Sequence, residues 1–115
     1  MDENKKNSLF SRLKISDIGD GTRWDSLSGG EQIKTAIALA FLKDTPYVFL
    51  DEPTNHLDNA STEALIGIIE EEAKEKTIVI VSHDSRLQPE NQKEIRIEEG
   101  KIIQEATETI QMIIF

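Results

Sequence analysis

Cysteine is absent from all 115 residues, which excludes disulfides and thiolate metal sites within the chain. Histidine is scarce: His56 and His83 are the only two. They are too far apart in sequence to predict a structural zinc site. Long apolar runs are missing too. The longest is Ala36 to Leu42, whereas a membrane span needs about 20 such residues. Met1-Asp-Glu-Asn-Lys-Lys6 has no apolar h-region and does not predict a signal peptide. Positive charge is in short supply, with 13 Lys and Arg against 22 Asp and Glu, a net charge of −9 and a pI near 4.7. That balance argues against direct nucleic-acid binding, which rewards Lys and Arg. What remains is 37% hydrophobic and 30% charged, a composition of soluble globular proteins. The length predicts one domain or part of one, able to bury roughly 65% of its unfolded surface. Neither an internal repeat nor a low-complexity segment is present.

Residues 1–7 are polar and are expected to fray; Leu9, Phe10 and Leu13 could line a short helix. The stretch Asp17 to Asp25, with Gly19 and Gly21, predicts a loop. Ser28-x-x-Glu31 fits a capping box, and Ile33, Ala36, Ile37, Ala40 and Phe41 follow at helical spacing. Pro46 ends that helix. Tyr47 to Leu50 is a continuous apolar run, expected to be a strand buried on both faces. Leu65, Ile68, Ile69 and Ala73 predict a second helix, with Glu63, Glu70, Glu71, Lys74 and Glu75 on a solvated face. Ile78 to Val81 predicts a second buried strand, and the order strand, helix, strand predicts a parallel βαβ unit with a right-handed crossover. Ile95 to Ile103, turning at Glu99-Gly100, predicts a β-hairpin. The final apolar residues, Ile110 to Phe115, have no evident partner.

Three features carry chemistry. Leu27-Ser-Gly-Gly-Glu31 opens a helix, where glycines permit close approach and free N–H groups favour an anion, most often phosphate. A capped helix with glycines for tight packing would show the same residues. Asp51-Glu52 closes a buried strand, the end at which ligands of parallel sheets bind. One carboxylate there can hold a hard cation, and its neighbour can deprotonate a water. Ser82-His83-Asp84 follows the second strand, whose end lies beside the first in a parallel sheet. Three consecutive residues cannot fold onto one another as a nucleophilic triad, but His83 can donate a hydrogen bond to a phosphate or water. Together the three fit a phosphoryl-transfer site.

Leu27-Ser-Gly-Gly-Glu31 resembles the signature motif of ATP-binding cassette (ABC) ATPases. Tyr47 to Glu52 resembles their Walker B strand with its catalytic glutamate, Asn55-His-Leu-Asp58 their D-loop, and Ser82-His83 their H-loop. All four occur in family order between about Asp20 and about Gln104. The resemblance implies an α/β fold: a partial P-loop NTPase-like cassette with parallel core strands, a signature-helix region and a C-terminal hairpin. Residues 1–45 would end the helical subdomain and 46–115 would form the C-terminal half of the catalytic core. It also implies ATP and Mg²⁺ as cofactors. Ser28, Gly29 and Gly30 would contact the γ-phosphate of an ATP held mainly by a facing cassette, with Glu31 and Gln32 close to that nucleotide. Asp51 would position Mg²⁺, Glu52 would be the general base, Asp58 would reach across the dimer interface, and His83 would hold the γ-phosphate and attacking water in register. His56 lies inside the D-loop and is not expected to be catalytic.

The departures are as informative. The only Gly-Lys pair, Gly100-Lys101, precedes Ile102, and Ile95 stands where a P-loop needs its first glycine. Walker A is therefore absent, and the 26 residues before the signature leave no Q-loop. Lys34 occupies a position where the family usually has Arg, which keeps charge and loses bidentate geometry. The chain thus resembles the C-terminal half of a cassette. The implied function is part of the ATP-hydrolysing subunit of an ABC transporter, cytoplasmic and held at the membrane by a permease. The implied partners are a second cassette or the missing N-terminal half, with homo-oligomers in isolation. Alternatives are an ABC-F type ribosome-associated ATPase, against which Asp84-Ser-Arg-Leu-Gln88 lacks the expected Asp-Arg-x-Phe, and a non-enzymatic half-cassette. Chromosome-maintenance ATPases with a similar signature are more remote. Without a P-loop strand, one edge of Ile78 to Val81 is expected to need cover, from the tail 110–115 or a second copy.

Overall fold

In a computed structural model the chain is described over residues 2–19, 21–87, 92–98, 101–102 and 110–114, the last three segments as backbone. Helix α1, Glu3–Arg12, begins where the Asp2 side chain accepts hydrogen bonds from the Asn4 and Lys5 amides. This cap corrects the expectation of fraying. Residues 3–7 are helical because Asp2 satisfies two of the orphan amides of the first turn and Lys5 pairs with Glu72 at 2.9 Å. A single 3₁₀ turn, Trp24–Ser26, interrupts the predicted loop. Helix α2, Gly29–Leu42, starts at Ser28 with both hydrogen bonds of the capping box formed.

Strand β1 is Tyr47–Asp51, helix α3 is Asn59–Glu72 and strand β2 is Thr77–Val81. β1 and β2 pair in parallel with Tyr47 opposite Thr77 and Asp51 opposite Val81. That register puts Val48 beside Ile78 and Leu50 beside Ile80 on one face. These four join Leu9, Phe10 and Leu13 of the α1 region, Ile37 and Phe41 of α2, and Leu65, Ile68 and Ile69 of α3 in one core. Leu65, Ile68 and Ile69 are buried as predicted, whereas on α2 only Ile37 and Phe41 of the predicted stripe are fully buried: Ala36 is exposed and Ala38 takes a core position instead. The other face corrects an expectation: Tyr47 and Phe49 are 70% and 64% exposed, so β1 is buried on one side only. Phe49 borders an open cavity against α2.

The five-stranded sheet has the order β1-β2-β5-β3-β4. β3, Gln92–Glu98, and β4, Lys101–Ile102, form the predicted antiparallel hairpin; its turn and Ile103 lie outside the described residues. β5, Ile110–Ile114, is a strand that periodicity alone did not assign. It lies parallel to β2, with Ile80 opposite Met112, and parallel to β3, with Glu94 opposite Met112. The edge of β2 is thus covered from within the chain. β1 has no partner on its outer edge among the described residues.

The predicted solvated face of α3 is observed: Glu63, Glu71, Lys74 and Glu75 are exposed and Glu70 is half-buried. Arg12 Nη1 reaches Glu71 Oε2 at 2.6 Å, and Lys76 Nζ lies 3.9 Å from Glu72 Oε2. A Cβ on Gly67 would stand 2.9 Å from Arg12 Nη2, so a larger residue there would require the flexible Arg12 side chain to shift.

Candidate functional site

The parallel register of β1 and β2 dictates what meets at their C-terminal ends. Glu52 follows β1, and its N–H donates to Val81 O at 2.7 Å, carrying the pairing one residue past the strand. Glu52 then turns sharply, with φ of 48°, a left-handed conformation uncommon for residues other than glycine. Such strained backbone clusters at functional sites. The turn swings its carboxylate toward the chain leaving β2. His83 Nε2 lies 3.8 Å from Glu52 Oε1, a spacing beyond direct hydrogen bonding that a water or phosphate oxygen could bridge. His83 is 58% exposed and Glu52 29%, so both are open to a ligand. Two of the residues singled out in the sequence are therefore brought together. Asp51 stands beside them at the exposed end of β1.

The segment after Glu52 is tightly wound. Asn55 N–H donates to Glu52 O at 3.3 Å and Leu57 N–H to Thr54 O at 3.0 Å. His56 also takes a positive φ, 67°, and this aims its backbone at the start of α2. A Cβ on Gly30 would lie 3.1 Å from His56 O, whereas one on Gly29 would come only to 4.0 Å of the His56 ring. Gly30 thus has a packing role against the neighbouring loop in addition to any role toward an anion. Asp58 caps α3 by accepting from Ser61 N–H at 2.8 Å, and hydrogen bonding from Ser61 lowers its pKa.

At the start of α2 the polar side chains are also engaged locally. Ser28 Oγ accepts from Glu31 N–H at 3.1 Å, and Glu31 Oε1 accepts from Ser28 N–H at 2.9 Å. The second bond is the largest influence lowering the Glu31 pKa. Gln32 Nε2 donates to Trp24 O at 3.0 Å. A cavity of about 430 Å³ runs between α2 and β1. Ile33, Ile37 and Phe49 form its apolar part; Asp51, Glu52 and His56 are at its polar end.

Arg86 escaped the sequence reading. Its guanidinium holds both oxygens of Asp84 and also reaches Leu57 O at 3.1 Å and Asn59 Oδ1 at 2.8 Å. The spacing Asp84-x-Arg86 just past a strand end was the available signal. Those hydrogen bonds from Arg86 hold the Asp84 carboxyl well below the usual carboxylate range. No group of three or more His, Asp or Glu among the described residues forms a self-sufficient metal site. The donors at Asp51 and Glu52 fit instead a Mg²⁺ ion that takes one or two carboxylates and completes its shell with water and phosphate.

Residues 3–88 match a family described as "AAA domain, putative AbiEii toxin, Type IV TA system". Among curated proteins, the chain is 38% identical over 96 residues to the macrolide export ATP-binding/permease protein MacB 1/2 of Paracoccus denitrificans, covering 83% of this chain and 14% of that protein. It is 40% identical over 90 residues to the glutathione/L-cysteine transport system ATP-binding/permease protein CydC of Escherichia coli, covering 78% and 15%. The chain therefore spans about one seventh of the length of these relatives. Among solved structures, it superposes with a TM-score of 0.64 and 35% identity on a complex of the archaeal ribosomal stalk protein aP1 and the ribosome recycling factor aABCE1, covering 75% of this chain and 17% of that chain.

Proposed function

The chain belongs to the AAA-type ATPase domain family and is a partial ABC ATPase domain, and from this we propose that it supplies half of a composite ATP-hydrolysing site in a transporter motor. The observation that carries the reading is the meeting of Glu52 and His83 at the ends of adjacent parallel strands, beside a D-loop packed on the signature helix. Glu52 takes the proton of the attacking water, and His83 donates to the γ-phosphate. Ser28, Gly29 and Gly30 offer the helix start to a nucleotide on a facing cassette, with Glu31 and Gln32 behind them. Asp58 faces that cassette. Bound Mg²⁺ would neutralise charge on the phosphates, and Asp51 is the residue that would hold it. The division into a helical part, 1–45, and a catalytic part, 46–115, belongs to the same proposal.

Because no Gly-x-x-x-x-Gly-Lys-[Ser/Thr] segment is present, the chain alone should neither bind Mg-ATP tightly nor turn it over. The partner is a half-cassette that carries this segment, or a second full cassette, with a permease beyond. No helix among the described residues is long and apolar enough to cross a membrane; we place the chain on the cytoplasmic side, attached through that permease. A second copy is a further partner, through the open outer edge of β1. The test is reconstitution with a P-loop half from a related cassette. ATP turnover near 1 s⁻¹ or above from the mixture, and none from either half, supports the reading; an inactive mixture that nonetheless associates favours a non-enzymatic module.

A ribosome-associated ATPase is the second reading, favoured by the likeness to a chain of the complex of aP1 and aABCE1 and by Asp51-Glu-Pro-Thr-Asn-His-Leu-Asp58, which resembles the ABC-F form of this segment. Co-sedimentation of the reconstituted protein with ribosomes, absent with permease-containing membranes, would select it.

A further inference from the structure

An Arg–carboxylate pair two residues apart on a surface loop contributes little by itself. Arg86 differs because its fork is shared between two loops. One side, Nε and Nη2, is held by Asp84, at 3.0 and 2.6 Å. The other side, Nη1, crosses 29 residues of sequence to Leu57 O and 27 to Asn59 Oδ1. Asp84 directly follows His83, while Leu57 and Asn59 flank Asp58. The guanidinium therefore grips the neighbour of one proposed site residue and both neighbours of another. Its planar array of donors suits this division: a carboxylate on one edge, a carbonyl and an amide oxygen on the next. A lysine ammonium offers three donors from one point and cannot span both sets.

We infer that Arg86 is a positioning residue that locks the His83 loop to the Asp58 loop, so that the two respond to nucleotide as one unit. The functional half of this inference rests on the ATPase reading above; the mechanical half does not. Without the clamp, the loop after β2 keeps local bonds, Asp84 N–H to Ser82 Oγ at 3.0 Å, Arg86 N–H to Asp84 Oδ1 at 2.9 Å and Leu87 N–H to Asp84 O at 3.1 Å, and the D-loop keeps its turns from Asn55 to Glu52 and Leu57 to Thr54; none of these hydrogen bonds joins one loop to the other. Each could then move alone.

Amide hydrogen exchange on the full chain tests the mechanical half. In Arg86→Ala, exchange at the Leu57 and Leu87 amides should quicken at least tenfold while Ile78 and Ile80 stay within twofold of wild type. Arg86→Lys should behave like Arg86→Ala. Asp84→Asn, which keeps side-chain volume, should give a smaller change at the same amides, and stands in if Arg86→Ala does not fold. Unchanged rates at Leu57 and Leu87, or a rise of equal size at Ile78 and Ile80, would overturn the clamp, as would full rescue by lysine. Reconstituted with a P-loop half, Arg86→Ala should lose at least tenfold in kcat with KM for ATP within twofold; a loss confined to KM would also overturn it. If wild type itself shows no turnover, the ATPase reading fails, and the exchange data alone judge Arg86.

Discussion

At the scale of single residues, environment separates acids that look alike in sequence. Glu52 sits on a left-handed backbone beside His83, whereas Glu31 and Asp58 are occupied as helix caps. Replacing Glu52 by Gln in a reconstituted cassette removes the base and keeps Asp51. Turnover should fall by at least about 10²-fold, the usual contribution of general base catalysis, with nucleotide affinity kept. Steady-state phosphate release and equilibrium nucleotide binding, measured together, check this; a loss under threefold would remove Glu52 from the role. The two signature glycines should also part company. Gly29→Ala brings its methyl only into ordinary contact with the His56 ring, at 4.0 Å, and should be neutral or slightly stabilising through helix propensity. Gly30→Ala drives a methyl toward His56 O and should cost about 1 kcal/mol through overpacking. Urea midpoints of the two variants decide this, and equal midpoints would deny the packing role of Gly30. Asp84 brings pH dependence. Its folded pKa lies below the ordinary value of 3.8, so its contribution to stability is complete above that value. It is lost as pH falls through 3.8 toward the folded pKa. Wild type should therefore lose stability more steeply below about pH 4 than Asp84→Asn, as followed by urea melts across pH 2 to 6.

Among the elements, α2 shows how a helix is closed at both ends by different means. Its N-terminus has the reciprocal Ser28–Glu31 box, a signal readable from two residues three apart. Its C-terminus has no glycine. Lys76, buried just before β2 and 33 to 35 residues away, donates from Nζ to Phe41 O at 3.0 Å and Lys43 O at 2.8 Å. Cations complement this end of a helix. Lys76→Met fills similar volume but leaves both carbonyls without that donor and removes the cation near Glu72. It should destabilise the chain by about 1–3 kcal/mol, read as a lower urea midpoint with an unchanged slope. A midpoint equal to wild type would show that these carbonyls find water instead.

For the whole molecule, β5 is the piece on which the sheet's continuity depends. The hairpin β3–β4 joins the β1–β2 pair through β5, which has parallel partners on both sides. Met112→Pro removes one ladder donor and disfavours the neighbouring strand geometry. The edge of β2 would open, and exposed edges pair with other chains. Light scattering after size exclusion at low micromolar concentration should then show larger species than wild type. An unchanged mass, with slow amide exchange retained at Ile78 and Ile80, would mean that β2 does not need this cover.

The sequence by itself determined what depends on near neighbours. The capping box at Ser28, the helical stripe of α3, the Ile37 and Phe41 positions of α2, the apolar runs of β1 and β2 and the order of the four motifs are all local patterns, set by periods of 3.6 and 2 and by turn chemistry. Glu52 and His83 could be placed together because short connections in a βαβ unit force parallel pairing. Only tertiary structure decided the rest. Residues 3–7 are helical because Asp2 caps them and Lys5 finds Glu72. Tyr47 and Phe49 are exposed because no described element fills that side of β1. β5 is a strand because β2 and β3 leave a gap that its backbone pairs on both sides. Arg86 and Lys76 act on groups roughly 30 residues distant, and no sequence period records a hydrogen bond between elements that meet only once the chain has folded.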